Sequence, residues 1–285
     1  MCRTMCGIVI RTLRREFRIP DQGDDSPLRF VAAAPTIDGE APAPTELALE
    51  PLHGFFKTRL PTGPVIEGTP RNLARVLDLY TLIRAVADEP DATSLPAAVL
   101  VSPAGRRVAF IGTRRSGKTS LALALMRAGW TFEGDERLFV RADGVVAHPR
   151  TLRLSRTLIR RQPQFAALVD GAPSLDLLHG ETMFALDPRR LTQDPKQDWH
   201  IRCGPLDAAV FLDGAMARLC SIRRMSLEEA FGGALALCTI AHGVRARGVA
   251  LLRAALGRAA LYRLQPGELL ATRDAVIELP ALRAA

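Results

Sequence analysis

The sequence predicts an α/β protein with a small N-terminal lobe, and three observations carry that prediction. After residue 92, short apolar runs bounded by Gly and Pro alternate with longer Ala/Leu-rich stretches, as strands alternate with helices. A glycine-bearing turn, GTRRSGKT at 112–119, stands between one such run and one such stretch. Before that, IPDQGDDSP and APTIDGEAPAPTE have turn and linker compositions that break up the first 48 residues. Two domains are expected: an N-terminal lobe over 1–92 and a main domain over 93–285.

The elements follow in order. Residues 71–88, RNLARVLDLYTLIRAVAD, place Leu73, Val76, Leu77, Tyr80, Leu82 and Ile83 at helical spacing, and EPDATSLP closes that helix. AAVLVS (97–102) and RRVAFIG (106–112) read as two strands joined by the turn PAGR. KTSLALALMRAG (118–129) is a helix with Gly129 as its C-cap. In WTFEGDERLFVRADGVVAHP (130–149), ADG separates two alternating runs and predicts a tight hairpin. LDAAVFLDG (206–214) is a buried strand, and 226–259 is mostly helix, interrupted at FGG (231–233). The end, ALYRLQPGELLATRDAVIEL, predicts a strand, a turn at Pro266-Gly267 and a final helix.

Composition narrows the function classes. At 285 residues, with 48% apolar and 24% charged residues, the chain has the makeup of a globular protein. No apolar run approaches the roughly 20 residues that cross a bilayer, and the opening MCRTMCGIVIRTLRREF lacks the pattern of a signal peptide. A cytoplasmic location without a membrane partner is expected. Cys2, Cys6, Cys203, Cys220 and Cys238 form no CxxC pair and read as reduced thiols. The formal charge of +8 comes from arginines spread along the chain, with no basic run interleaved with aromatics, so nucleic acid is not an expected partner. His148, His179, His200 and His242 have no metal-ligand spacing. Only three lysines occur, Lys57, Lys118 and Lys196; where this chain keeps a lysine, a compact point charge is implied.

Gly112-Thr113-Arg114-Arg115-Ser116-Gly117-Lys118-Thr119 matches GxxxxGK[ST] in full. Two glycines let the backbone curl so that successive N–H groups point at phosphate oxygens, backed by the positive end of the following helix. The loop and first helical residues through Ser120 are the expected nucleotide contacts. Lys118 would reach the β- and γ-phosphates, and the Thr119 hydroxyl would take a Mg²⁺ position. Two acidic positions compete to complete the site. Asp135-Glu136 follow the loop's helix and can bind Mg²⁺ or accept a proton. Asp213 ends AAVFLD, an apolar strand closed by Asp in the manner of a Walker-B segment.

From GRRVAFIG through AHPR (105–150) the chain resembles the kinase domain of HPr kinase/phosphorylase and its relatives, and in outline the resemblance extends over about 95–275. It implies a P-loop nucleotide-binding domain of the HPr kinase / phosphoenolpyruvate carboxykinase type. The implied reaction is ATP-dependent phosphorylation of a hydroxyl, often a serine, with Asp135 as general base and Thr119 and Glu136 near Mg²⁺. The chain departs from the family at three points: Asp-Glu replaces Asp-Asp, Arg115 stands where glycine is frequent, and Pro96-Ala97 stand where a histidine is common.

The expected function is therefore transfer of the γ-phosphate of ATP, with ATP and Mg²⁺ as cofactors. The acceptor is a peptide or protein, with a small-molecule hydroxyl as the alternative; homo-oligomerisation is left open. Two other readings stand beside it: a regulatory switch ATPase using Asp213, and a degenerate kinase that only binds ATP. DPKQDWH (194–200), with Lys196 and Trp199, is read as a structural loop anchored by its Trp, with covering the nucleotide or binding substrate as the alternatives. RTLIRRQPQF (156–165) is read as a solvated helix face or a receiver of acidic peptide.

Overall fold

The computed structural model describes residues 7–24, 26–33, 35–38, 43–53, 55–177, 179–191, 198–214, 217–240 and 245–283. The protein is mixed α/β, and it divides into two compact units: 89–148 with 191–285, and 1–88 with 149–190.

The first of these units carries GTRRSGKT. Its elements are β1 (Thr93–Leu95), β2 (Ala97–Val101), β3 (Arg107–Ile111), α1 (Lys118–Met126), β4 (Thr131–Gly134), β5 (Leu138–Val140), β6 (Val145–Ala147), β7 (Ala208–Leu212), β8 (Ser221–Arg224), α2 (Leu227–Leu237), β9 (Thr239–Ile240), α3 (Arg245–Arg258), β10 (Ala260–Gln265) and α4 (Leu269–Ile277). A six-stranded sheet has the order β4-β2-β3-β7-β10-β8. Its centre, β3, β7 and β10, is parallel, and antiparallel β2 and β8 flank it. Parallel strands are buried on both faces and read as unbroken apolar runs. RVAFI and AAVFL are such runs, and all ten residues are buried. A four-stranded sheet, β6-β5-β1-β9, holds the hairpin foreseen at ADG, whose turn is closed by the Arg141 N–H donating to the Gly144 carbonyl at 2.8 Å.

Two local expectations are corrected. Helix α1 ends at Met126 with Arg127 as its cap; Gly129, at φ +89°, makes the left-handed turn after it instead. FGG does not interrupt α2. Ser226 caps that helix, its hydroxyl accepting from the Glu229 N–H at 3.1 Å, and Ala230 and Ala234 bury one face of it, so capping and packing override glycine's poor propensity. The interruption falls at Cys238–Ile240.

One buried ion pair ties β3 to β4 across β2. Arg107 donates from Nε and Nη2 to the two Glu133 carboxylate oxygens at 2.8 and 2.9 Å, with 10% and 3% of the side chains exposed. Burial pushes the guanidinium pKa down, but the bond to Glu133 and the charges of Glu133, Cys203 and Asp207 together outweigh it and the net shift is upward. Removing one partner of such a pair leaves a charge stranded and costs about 3–5 kcal/mol, whereas an apolar pair of similar volume is often neutral. Arg107→Met is therefore expected to lower the urea midpoint sharply, and Arg107→Met combined with Glu133→Leu to recover most of the loss.

The other unit is built on an antiparallel hairpin, Gly7–Arg11 with Glu16–Pro20, joined in parallel by Pro44–Glu46. The helix Pro70–Ala87 begins at Thr69, whose hydroxyl accepts from the Asn72 N–H. It turns Leu73, Ala74, Leu77 and Ala85 inward, while Val76 and Ile83, counted by spacing as part of the apolar face, are exposed. A single boundary at 92 was expected; instead residues 149–190 belong with this unit. The reason is packing: Leu175 and Ala185 are buried in one cluster with Ile8, Phe17, Leu28, Phe30 and Leu73. Arg150 and Arg153 share Asp78 at 2.6 and 3.1 Å, and Arg153 lies 3.7 Å over the Phe30 ring.

Candidate functional site

The site starts where β3 runs out. The Gly112 N–H donates to the Pro96 carbonyl at 3.2 Å, fixing the start of the loop to the β1–β2 junction. A Cβ on Gly112 would lie 2.6 Å from Ser116 Oγ and 3.1 Å from the Leu212 carbonyl oxygen, so only glycine lets the loop close on itself here. Arg115 and Gly117 both hold left-handed backbone, at φ +67° and +95°. These two residues turn the chain into α1, where the unpartnered first N–H groups of a helix collect.

Lys118 folds back into this coil. Its Nζ donates to the Gly112 and Thr113 carbonyls at 2.9 and 2.7 Å, and the Ser116 hydroxyl lies 3.4 Å away. Burial lowers its pKa, with the Asp135 charge opposing the shift. An ammonium held in a closed coil of backbone beside a helix N-terminus suits a polyanion such as a phosphate chain. Thr113, Arg114 and Arg115 are exposed, while Ser116 is buried and Thr119 and Ser120 are half-buried.

The acidic half arrives on β4. A Cβ on Gly134 would meet the His148 carbonyl oxygen at 2.5 Å and Ala147 Cβ at 2.8 Å; the glycine lets the end of β4 pass against β6. Asp135 follows, 7% exposed. Its Oδ2 accepts from the Thr119 hydroxyl at 2.7 Å, and its Oδ1 from the Glu136 N–H at 2.7 Å. Glu136 takes φ +77° and is half-buried. Lys118, Thr119 and Asp135, separated in sequence by a helix and a strand, thus meet.

Asp213 also lies next to the loop: a Cβ on the following Gly214 would sit 3.6 Å from Thr113 Oγ1, and one on Gly112 would sit 3.1 Å from the preceding Leu212 carbonyl oxygen. The Asp213 carboxylate accepts from Arg263 Nε at 3.2 Å, and Arg263 reaches Glu229 at 3.0 Å. Trp199 is buried, its indole donating to the Glu133 carbonyl at 2.9 Å and its ring against Phe132, which makes it a structural anchor. Lys196 and His242 lie outside the described residues. The helix Arg156–Arg161 has no buried residue and presents a solvated face. Among the described residues no three His, Cys, Asp or Glu side chains gather as a ready metal site. A divalent cation at Thr119 and Glu136 would take further ligands from phosphate and water, as magnesium ordinarily does. No helix among the described residues is long and apolar enough to cross a membrane.

Sequence reasoning passed over Gly134, which lets β4 close on β6 just before Asp135, and Arg137, which follows the acidic pair in the chain; both adjoin that pair, a signal that could have found them. It did note Arg115, where glycine is frequent in the resembled family, and the left-handed φ gives that a backbone reason. A non-glycine residue there costs roughly 1–2 kcal/mol, so Arg115→Gly is expected to raise the urea midpoint by about 1 kcal/mol in stability; an unchanged or lower midpoint contradicts the strain. No protein-family model matches this chain, and no curated protein matches it in sequence.

Proposed function

We propose that the chain is an ATP-dependent kinase with a P-loop domain of the HPr kinase / phosphoenolpyruvate carboxykinase type, moving the γ-phosphate to a hydroxyl, foremost a serine of a peptide or protein. The observation that carries the reading is the hydrogen bond of Thr119 to Asp135, which puts a carboxylate against the loop that holds Lys118. Asp213, the acid of the switch-ATPase alternative, is instead engaged by Arg263.

In this reading Lys118 turns its ammonium from the Gly112 and Thr113 carbonyls to the β- and γ-phosphates, and the loop N–H groups hold the remaining oxygens. Mg²⁺, when bound at Thr119 and Glu136, offsets charge on the phosphates. Asp135 takes the proton of the acceptor hydroxyl as its oxygen bonds to the γ-phosphorus and the bond to the bridging oxygen breaks, leaving ADP. Phosphoryl transfer asks mainly for such positioning and electrostatics, so few side chains suffice. The setting is cytoplasmic.

The test is incubation with γ-labelled ATP, magnesium and serine-containing peptides, followed by mass spectrometry. Label on a peptide hydroxyl supports the kinase. Hydrolysis that no acceptor changes, and that Asp213→Asn harms more than Asp135→Asn, would establish the switch ATPase in its place.

A further inference from the structure

Arg137 is a cation that the fold leaves with neutral partners. It stands two residues past Asp135, at the start of β5, and is half-buried. Arg107, Arg141 and Arg263 in the same unit are each paired with a carboxylate. Arg137 has none among the described residues. Its Nη1 donates to two hydroxyls, Ser94 Oγ on β1 at 3.0 Å and Thr239 Oγ1 on β9 at 3.1 Å. Those neutral partners fix the guanidinium plane without neutralising it. Among the described residues Nε and Nη2 make no hydrogen bond, and neither is a fully buried, unpartnered atom. That edge is the two-donor fork that matches a carboxylate or phosphate.

Its position ties it to the site. Leu138 pairs with Leu95 in antiparallel register, so Arg137 falls opposite Pro96, and the Pro96 carbonyl is the one that anchors Gly112. Partial burial without an acidic partner lowers the guanidinium pKa; a bound anion would relieve that cost. Keeping an uncompensated cation half-buried is unfavourable for stability alone, which turns attention to a ligand.

We propose that Arg137 selects the acceptor: its Nε–Nη2 edge binds a carboxylate carried by an acidic residue near the serine whose hydroxyl Asp135 activates. The inference rests on the kinase reading and names its substrate class, a serine peptide with Asp or Glu close to the target. Arg137 is a specificity residue and takes no part in the proton transfer.

Degenerate serine peptide libraries, with one flanking position at a time fixed as Asp, Ala or Lys, test this with γ-labelled ATP. Wild type is expected to favour Asp over Ala at one position by about 10-fold or more, the scale of a charge-assisted fork. Arg137→Gln should erase that ratio, and Arg137→Glu should turn it toward Lys, a reversal that a merely structural role would not produce. Mg-ATP affinity, measured on each variant, reports whether the unit is still folded. A preference for Asp that persists in Arg137→Gln, or no acidic preference in an active wild type, overturns the inference. No labelled peptide in any library, with Mg-ATP still bound, overturns the kinase reading itself and this inference with it.

Discussion

Asp135→Asn is expected to reduce phosphoryl transfer by roughly 10²–10⁴-fold, the range a positioned general base supplies, while Mg-ATP affinity changes by no more than about 3-fold, since the phosphate contacts do not run through this group. The substitution is informative because it is nearly isosteric within the observed bonds. Asn keeps an oxygen to accept from the Glu136 N–H, and its amide can still donate to the Thr119 hydroxyl, which now serves as acceptor. What disappears is the charge and the capacity to take a proton. Single-turnover transfer and equilibrium binding, measured on the same preparation, separate the two effects. Equal turnover in Asp135→Asn and wild type would remove Asp135 from the chemistry.

Lys118→Met is expected to act in opposite directions on binding and stability. Losing the ammonium removes charge-assisted bonds to phosphate, at about 1.5–3 kcal/mol, and should weaken Mg-ATP binding roughly 10–100-fold. Lys118→Arg should not restore it, because a planar fork cannot replace a point charge seated among the Gly112, Thr113 and Ser116 oxygens. Without nucleotide the sign reverses. Burial holds the Lys118 pKa below its ordinary value, so the unfolded chain binds the proton more tightly than the folded one. The charged group therefore costs stability at neutral pH, and that cost fades only as pH rises from the folded pKa toward the unfolded one. Lys118→Met should thus be at least as stable as wild type at pH 7 in urea, and the difference should shrink at alkaline pH. A variant that binds Mg-ATP normally, or that unfolds more easily in its absence, contradicts this account of the lysine.

What was legible in the sequence is what local chemistry dictates. RVAFI, the glycines of GTRRSGKT and the Leu/Ala run behind them specify a strand, a tight turn and a helix within some twenty adjacent positions. ADG likewise marked its hairpin, and the proximity of Asp135 to the loop could be expected from the short return after α1. The return of residues 149–190 to the unit formed by 1–88 was not legible. Leu175 and Ala185 meet Phe30 and Leu73 only in the folded core, and long-range packing leaves no periodicity to read. Arg137 was missed for the same reason: its hydroxyl partners are 43 and 102 residues away along the chain. FGG misled because propensity is a weak prior, and α2, capped by Ser226 and buried at Ala230 and Ala234, can hold two adjacent glycines.

The central claim is that one coil of backbone around Lys118 grips a triphosphate with its terminal phosphorus facing Asp135. A crystal structure of the chain with magnesium and a non-hydrolysable ATP analogue tests it most directly. The account predicts the γ-phosphate oxygens within hydrogen-bond reach of Lys118 Nζ, the metal on Thr119 Oγ1, and the Asp135 carboxylate directed at the open side of the terminal phosphorus. An analogue seated away from residues 112–119, or an Asp135 side chain turned from the phosphate, would contradict it.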